Sequence, residues 1–231
     1  MYDRLTIGTS IEQLEKQFNA QMTEPFQTSY NVAPTHLVPV ITNLQRSKIQ
    51  LFPWGLMSKL SNNKSISPKL FNLPAATALS RPMHKKMLYE NRCIILADGC
   101  YAWKQLTKKQ QVPYYIYKPD RTPFAIAGVW EEYEDFDGVV NKSFNLITTE
   151  SSKPLSTIQH DRPLILAPEF IETWLAVHSD EHEVRRIIEN NSAIPLNYHP
   201  VSPLIRDLKI YDQQLIEPTQ PSDQHGNYTL F

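Results

Sequence analysis

Lysine and arginine side chains give the first half of this sequence the capacity to contact a polyanion. Residues 1–120 hold 15 Lys and Arg against 7 Asp and Glu, residues 121–231 hold 8 against 17, and the formal net charge is −1. A basic surface binds phosphates because the neutralised phosphates release their counterions. The alternative is that the two halves intermix in space and form a neutral surface. The candidate phosphate contacts are Lys85, Lys86, Arg92, Lys104, Lys108 and Lys109.

Sulfur and imidazole groups are sparse. Cys93 and Cys100 are the two cysteines, and their odd spacing would place them on opposite faces of a single strand. We therefore expect no structural disulfide, in keeping with a reducing compartment. His178 and His182 are four residues apart, but Ser179-Asp180 between them is typical of a helix cap, so we expect no metal site. The sequence likewise gives no reason to expect a cofactor.

The elements that would position these groups follow from hydrophobic periodicity and turn residues. Strands are predicted at 5–7, 37–42, 48–53, 92–97, 113–118, 124–130, 143–149 and 163–166. Helices are predicted after Ser10 and at 82–90, 168–177 and 181–190. Because strands and helices do not alternate, a doubly wound parallel sheet is disfavoured. The fold class predicted is α+β, with antiparallel, strongly curved sheets and peripheral helices.

Size and composition are those of one globular unit. The chain has 231 residues, of which 41% are hydrophobic, enough for a sizeable core. We expect a single domain over 1–216 and a polar tail over 217–231 that frays or wraps the surface. No apolar run reaches the roughly 18 residues of a membrane span, and the start lacks the pattern of a signal peptide. A cytoplasmic monomer without membrane contact is expected.

A run of twelve residues carries the most specific signal. Residues 92–103 read R-C-I-I-L-A-D-G-C-Y-A-W, which resembles the R-C-x-x-P-A-D-G-F-Y-E-W motif of the SOS-response-associated peptidase (SRAP) family. Further segments resemble the family in the same order, so the resemblance covers roughly residues 1–205. These segments are 31–35, 54–56, 72–77, 113–116, 127–130, 147–149, 163–166 and 174–175.

The resemblance implies a barrel-like α+β fold and capture of abasic sites in single-stranded DNA. Family members begin Met-Cys-Gly-Arg, and the amine and thiol of the exposed cysteine close a thiazolidine ring on the abasic-site aldehyde. This chain has Tyr2 at that position, and a phenol cannot replace the thiol. Ala102 stands where the motif has its glutamate, so the proton shuttle is missing as well.

The family histidine lies in an I-H-x-R-M-P segment that this chain matches imperfectly. Residues 158–163 read I-Q-H-D-R-P. Without a gap Gln159 takes the histidine position, and with one deleted residue His160 and Arg162 match. A one-residue shift turns a strand side chain to the other face, so the two alignments predict different sites. His160 is either functional or a surface loop histidine.

The remaining site residues are carried over from matching motif positions. Asn72 is retained from N-A-R-x-E-T, whose arginine and glutamate become Pro74 and Ala76. Trp54 and Trp103 match tryptophans of the DNA-facing cleft and would stack on bases, or they are simply core residues. The DNA-binding residues implied by the resemblance are Arg4, Asn31, Pro34, Trp54, Trp103 and Arg162.

These departures fall on the chemistry, while the apolar and turn positions persist. The function predicted is a SRAP-like pseudoenzyme that binds single-stranded or abasic-site DNA and has His160 and Asn72 as the surviving catalytic positions. One alternative is an active hydrolase or lyase that uses His160 with the amine of Met1 or Tyr2. Another is a protein-interaction module without DNA binding. Similarity transfers a scaffold more safely than a site.

Overall fold

The computed structural model of the protein describes residues 2–55, 71–134, 138–151, 153–189 and 194–229. Met1, Leu56, Asn190 and the last two residues of the predicted tail lie outside these ranges. The α-helices are α1 (Ile11–Phe18), α2 (Ala75–Ser80), α3 (Pro82–Glu90), α4 (Pro168–Trp174) and α5 (Glu181–Glu189). The strands are β1 (Leu5–Ile7), β2 (Gln21–Met22), β3 (Ser29–Val32), β4 (Leu37–Thr42), β5 (Lys48–Pro53), β6 (Asn72–Pro74), β7 (Arg92–Ala97), β8 (Gly99–Thr107), β9 (Gln110–Tyr117), β10 (Phe124–Glu134), β11 (Val140–Glu150), β12 (Asp161–Pro163), β13 (Ile165–Leu166) and β14 (Asn197–Pro200).

One sheet of the described residues has five strands, in the order β14-β9-β8-β1-β3. Its centre is the β8–β9 hairpin, in which Ala102 lies opposite Tyr114 and Trp103 opposite Pro113. At the start of β8, a Cβ added to Gly99 would lie 2.4 Å from the Tyr115 ring. The D-G step of the long motif is therefore required by close strand packing.

A second sheet has nine strands within the same ranges, with β7, β10 and β11 at its centre. Its long pairings are antiparallel, whereas β2 pairs with β5 and β6 with β11 in parallel. The α+β prediction is thus confirmed, and the sheets are mostly antiparallel. In the described part of the chain they do not close into a barrel, contrary to the barrel-like expectation.

Three of the helices pack against the nine-stranded sheet: α2 contacts β11, α3 contacts β7 and β10, and α4 contacts β7. Ser10 caps α1 by accepting a hydrogen bond from the Gln13 N–H at 3.4 Å, and Asn19 ends it in the left-handed conformation. Pro168 occupies the first turn of α4, and Trp174 from that helix is fully buried. The bounds of α3, β4, β5 and β7 agree with those predicted from periodicity.

The polar segment after residue 216 is attached to the β8–β9 hairpin through Asp223 and Gln224. The Gln224 side chain accepts a hydrogen bond from the Gln111 N–H at 2.9 Å and donates to the Lys109 carbonyl at 2.6 Å. Asp223 is buried and accepts from the His225 and Asn227 N–H groups. Of the two behaviours expected for this tail, its described part wraps the surface.

Across the described ranges, the longest helices are far too short and polar to cross a bilayer.

Candidate functional site

The N-terminal segment lies at the junction of the two sheets. The Asn72 side chain donates a hydrogen bond to the Tyr2 carbonyl at 2.6 Å, and the Tyr101 N–H donates to the Arg4 carbonyl at 3.1 Å. Leu5 and Cys100 are then paired across β1 and β8. Asn72, expected as a catalytic position, therefore holds the backbone of the residue that stands at the family's cysteine position.

Asp98 fixes the other end of β1. Its carboxylate accepts hydrogen bonds from the Gly8 N–H, from the Thr9 N–H at 2.9 Å and from the Thr9 hydroxyl at 2.6 Å. Burial raises the pKa of this carboxyl group, although those hydrogen bonds oppose the rise. The aspartate of the long motif thus positions a turn and takes no part in the cavity described below.

Tyr2 is completely buried, and its phenol lies close enough to Cys100 and Arg162 for their charges to act on it. Burial is the largest cause of a pKa well above the usual value for this phenol. Burial likewise raises the pKa of the Cys100 thiol, while Arg162 opposes that rise. Both groups therefore stay protonated at neutral pH. Cys100 stands where the motif has phenylalanine, and Tyr2 stands where the family has cysteine. Relative to the family, the thiol and the aromatic ring have exchanged positions.

Arg162 is 6% exposed, and its Nε and Nη1 groups have no hydrogen-bond partner among the described residues. The Tyr2 hydroxyl is unpartnered in the same sense. Burial lowers the pKa of Arg162, yet a guanidinium remains charged in proteins. A buried guanidinium near Tyr2 thus lacks part of its hydrogen bonds, and burial of such a cation is energetically costly.

An open cavity of about 620 Å³ lies beside this segment. It joins the N-terminus, the β8–β9 hairpin, the loop before β12 and the segment after β14. Two arginines, a tryptophan and several amide groups make its surface predominantly polar, and Arg4 is paired with the Asp3 carboxylate at 3.4 Å. The lining residues are Asp3, Arg4, Trp103, Gln105, Gln111, Ile158, Gln159, His160 and Arg206.

The two candidates for the family histidine position both reach this cavity. Gln159 is half-buried and donates a hydrogen bond from Nε2 to the Asp161 carboxylate at 2.7 Å. His160 is exposed, and its carbonyl accepts from the Ser151 N–H. Gln159 is thus held in place by a charged group, whereas the His160 imidazole lies on the solvent side of the rim.

The two tryptophans have different surroundings. Trp54 is fully buried, donates from its indole nitrogen to the Phe71 carbonyl at 2.8 Å and stacks on Phe144. Of the two roles expected for Trp54, base stacking or core packing, the structure shows core packing. Trp103 is half-buried, lines the cavity and has the Arg206 guanidinium 5.8 Å from its ring centroid. Pro34 is half-buried and is not among the residues that line the cavity.

Asn31 and Arg92 are buried, so neither reaches a phosphate in this structure. The Asn31 side chain donates to the carbonyls of Asp207 at 3.0 Å and Ile210 at 2.8 Å, and thereby holds the segment that follows Arg206. Arg92 is fully buried, and its guanidinium donates to backbone carbonyls. Its acceptors are the carbonyls of Leu88, Tyr89, Trp174 and Ala176. Both expectations of a DNA contact are replaced by structural roles.

Three altered motif positions differ in exposure. Pro74 and Ala76, which replace the arginine and glutamate of the family segment, are exposed at the start of α2. Ala102 is fully buried and belongs to the same hydrophobic core as Tyr2. An arginine at position 74 would therefore meet solvent, whereas a glutamate at position 102 would need space in the core.

Sequence reasoning missed the far wall of the cavity. Gln105 and Gln111 lie opposite each other in the hairpin register, two residues beyond Trp103 and Pro113. Alternation along the strand could have identified them once Trp103 was assigned to the cavity. Arg206 follows the last recognised motif, and no local signal marks it.

The described ranges contain no group of three or more His, Cys, Asp or Glu side chains arranged to hold a metal ion. Cys93 and Cys100 are buried and unpaired, on strands of different sheets.

The chain is thus an α+β protein with a five-stranded and a nine-stranded sheet, and a cavity lies beside its N-terminal segment. A protein from Bacteroides thetaiotaomicron, known by crystal structure, has a similar fold, with a TM-score of 0.81 and 20% identity over 94% of this chain and 99% of that one. A Bordetella bronchiseptica protein superposes with a TM-score of 0.73 and 19% identity over 87% of this chain and 99% of that one.

Sequence comparison identifies the family. The profile described as SOS response associated peptidase (SRAP) matches residues 1–208, and the chain belongs to this family. The abasic site processing protein YoqW of Bacillus subtilis is 28% identical over 94% of this chain and 99% of its own length. The abasic site processing protein HMCES of Xenopus tropicalis is 27% identical over 80% of this chain and 64% of its own length.

Proposed function

We propose that this protein binds single-stranded DNA, including DNA with abasic sites, in the cavity beside its N-terminus, and that it forms no durable thiol-dependent adduct. The observation that carries the proposal is the combination in one cavity of a half-exposed indole, Trp103, with two guanidinium groups, Arg4 and Arg206. An aromatic ring stacks on any unpaired base, and cations beside it neutralise the phosphates.

Family membership supports DNA as the partner. Relatives that match most of this chain are named abasic site processing proteins, and their names imply contact with damaged DNA. A cavity open to solvent suits a strand that enters and leaves, because the bases of single-stranded DNA are unpaired and available for stacking.

The state of the reactive positions supports the absence of a stable cross-link. Tyr2 has no thiol, and Ala102 has no proton to transfer. The Cys100 thiol lies nearby but is fully buried, and burial raises its pKa, which leaves little thiolate to attack an aldehyde. What remains is an amine at the N-terminus, with a usual pKa of about 8, which can condense with an aldehyde to an imine and release water.

Fluorescence anisotropy with a labelled single-stranded oligonucleotide tests the binding. We expect affinity that falls steeply with salt and a Trp103→Ala variant that binds at least about fivefold more weakly. Lys16→Gln removes one cation from α1, away from the cavity, and serves as the matched control for Arg206→Gln. No binding at low salt, or equal losses in these two variants, contradicts the proposed site. The titration also gives the stoichiometry, for which we expect one monomer per strand.

Intact mass measurement with abasic single-stranded DNA tests the chemistry. We expect no adduct that survives heating without reductant. Borohydride would trap an imine as a secondary amine, and its mass would identify the terminal residue. A heat-stable adduct without reductant would overturn the proposal, and strand cleavage that depends on His160 would favour the hydrolase or lyase alternative. Neither binding nor adduct would favour a protein-interaction module.

A further inference from the structure

The tip of the β8–β9 hairpin places two glutamine side chains next to the tryptophan of the cavity. Trp103 and Gln105 are two residues apart on β8, and Gln105 lies opposite Gln111 on β9. Side chains two residues apart in a strand share a face, so the amides continue the surface that the indole begins. All three line the same cavity. This gives an aromatic platform with two amide groups along one edge.

The orientation of the Gln105 amide follows from its partners. Its nitrogen faces the carbonyls of Thr107 and Gln110, the latter at 3.1 Å. Carbonyl oxygens only accept, so the amide nitrogen must be the atom that faces them. The Gln105 Oε1 atom consequently presents a fixed acceptor on the other side of the amide.

The second glutamine is anchored through its backbone. The Gln111 N–H donates to Gln224 Oε1 at 2.9 Å, which attaches β9 to the docked tail. Within the described ranges the Gln111 side-chain amide makes no hydrogen bond, so both its donor and its acceptor can serve a ligand. Gln111 is half-buried, which limits its rotamers without removing it from the cavity.

We infer that this hairpin tip is a nucleobase subsite that prefers bases with an exocyclic amine to thymine or uracil; the inference rests on the proposed single-stranded DNA binding. An exocyclic amine has two N–H groups and can donate to both glutamine oxygens while the ring stacks on Trp103. The 4-amino group of cytosine is of this type, and its ring N3 accepts from the Gln111 amide. Uracil and thymine offer one ring N–H between two carbonyl oxygens. This N–H can donate to one glutamine oxygen only, and a base carbonyl oxygen then faces the other glutamine oxygen, which is repulsive.

Labelled oligo(dC) and oligo(dU) of equal length provide the test, because their bases differ in the 4-amino or 4-oxo group. We expect the native protein to bind oligo(dC) about five- to tenfold more tightly. Gln111→Met should reduce this ratio towards one while retaining binding of both strands, because the thioether keeps the length and loses the hydrogen bonds. Trp103→Ala should weaken both strands alike. Gln45→Met, on an exposed turn, is the matched control and should leave the ratio unchanged.

The outcomes separate the two proposals. Equal affinity for the two strands, or tighter binding of oligo(dU), overturns the subsite and leaves single-stranded binding in place. A ratio that survives in both Gln105→Met and Gln111→Met also overturns it. Absence of binding to either strand contradicts the proposed function and, with it, the subsite. Gln105→Met removes hydrogen bonds within the hairpin and could unfold the protein. In that case the Gln111→Met result alone decides.

Discussion

The Asn72 side chain donates a 2.6 Å hydrogen bond to the carbonyl of Tyr2, and so connects the start of β6 to the first described residue of the chain. The bond holds a backbone group, so it does not depend on the side chain at position 2. An asparagine can therefore keep its place in a site whose reactive cysteine position is occupied by tyrosine.

Removing this bond should loosen the N-terminus. We expect Asn72→Ala to lower the free energy of unfolding by about 1–2 kcal/mol, because a half-buried donor and its buried acceptor are separated. Urea unfolding gives this value, and Asn197→Ala, on the exposed end of β14, is the control. An unchanged midpoint would mean that the N-terminus is held without this contact.

Asn31 is expected to act on DNA through Arg206. Asn31→Ala removes two hydrogen bonds to the Asp207 and Ile210 carbonyls, so we expect a loss of about 1–3 kcal/mol in stability together with weaker binding of single-stranded DNA. Arg206→Gln should weaken binding and reduce the salt dependence by about one phosphate contact, with unchanged stability. Weaker binding in Asn31→Ala without loss of stability would instead indicate direct contact.

Arg92 should matter for stability alone. Its buried guanidinium connects the end of α3 to the end of α4. Arg92→Met would remove this donor from the carbonyls of Leu88, Tyr89 and Trp174, whereas the Ala176 carbonyl would still accept from Ser179. We expect a loss of about 3 kcal/mol or more, measured by urea unfolding. Arg186→Met, at an exposed position of α5, should change stability by less than about 0.5 kcal/mol. If Arg92→Met folds stably but loses DNA affinity, the structural assignment is wrong.

Positions 2 and 102 are both buried in the same core, so we expect substitutions at these two positions to affect each other. Cys100 and Ala102 share a face of β8, and Tyr2 lies against Cys100, so a glutamate at position 102 competes for space with the Tyr2 ring. We expect Ala102→Glu alone to destabilise by about 3 kcal/mol, through overpacking and a buried carboxyl group, and Tyr2→Cys to relieve part of this in a double-mutant cycle. Additive losses would show that the two positions do not share space.

The triple variant Tyr2→Cys, Asp3→Gly, Ala102→Glu should then recover measurable cross-linking to abasic DNA. Recovery should be partial, since misplacement of a reacting group by about 1 Å can cost on the order of a hundredfold in rate. Adding Pro74→Arg should improve it, because the exposed position allows a bidentate phosphate contact. A denaturing gel and intact mass report the adduct. If the variant folds with its cysteine at the processed terminus and still forms none, the cavity has diverged beyond its side chains.

Local signals in the sequence were sufficient to predict most helices and strands, but not which of the motif side chains are buried. The strand at 92–97 and the helix at 82–90 are marked by apolar composition, proline and turn residues, which act within a few positions. Arg92 and Trp54 looked like ligand contacts because their motif positions are visible and their burial is not. Burial depends on which elements pack together, and no local rule specifies that.

Only part of the cavity lining could be predicted from the sequence, because the lining also depends on which elements pack together. Arg4, Trp103, Gln159 and His160 were reached through motifs, whereas Arg206 comes from a segment about a hundred residues beyond Trp103. The Asn31 amide holds this segment through backbone carbonyls, and Ile205 packs in a buried cluster with Tyr101 and Tyr115. Neither contact can be read from local sequence patterns, because both join segments that are far apart in the chain.

The strand order of the two sheets also sets the order in which a ribosome can complete them. Every strand of the nine-stranded sheet has been synthesised by residue 166. The five-stranded sheet contains β1 near the start of the chain and is completed only by β14, at residues 197–200. Since nascent chains fold as their parts emerge, the larger sheet can assemble while β9 of the smaller sheet still lacks its neighbour β14. The cavity, with Arg4 on one wall and Arg206 on another, can be completed only after residue 206 has been synthesised. A nascent chain that has not reached residue 206 therefore lacks one wall of the cavity.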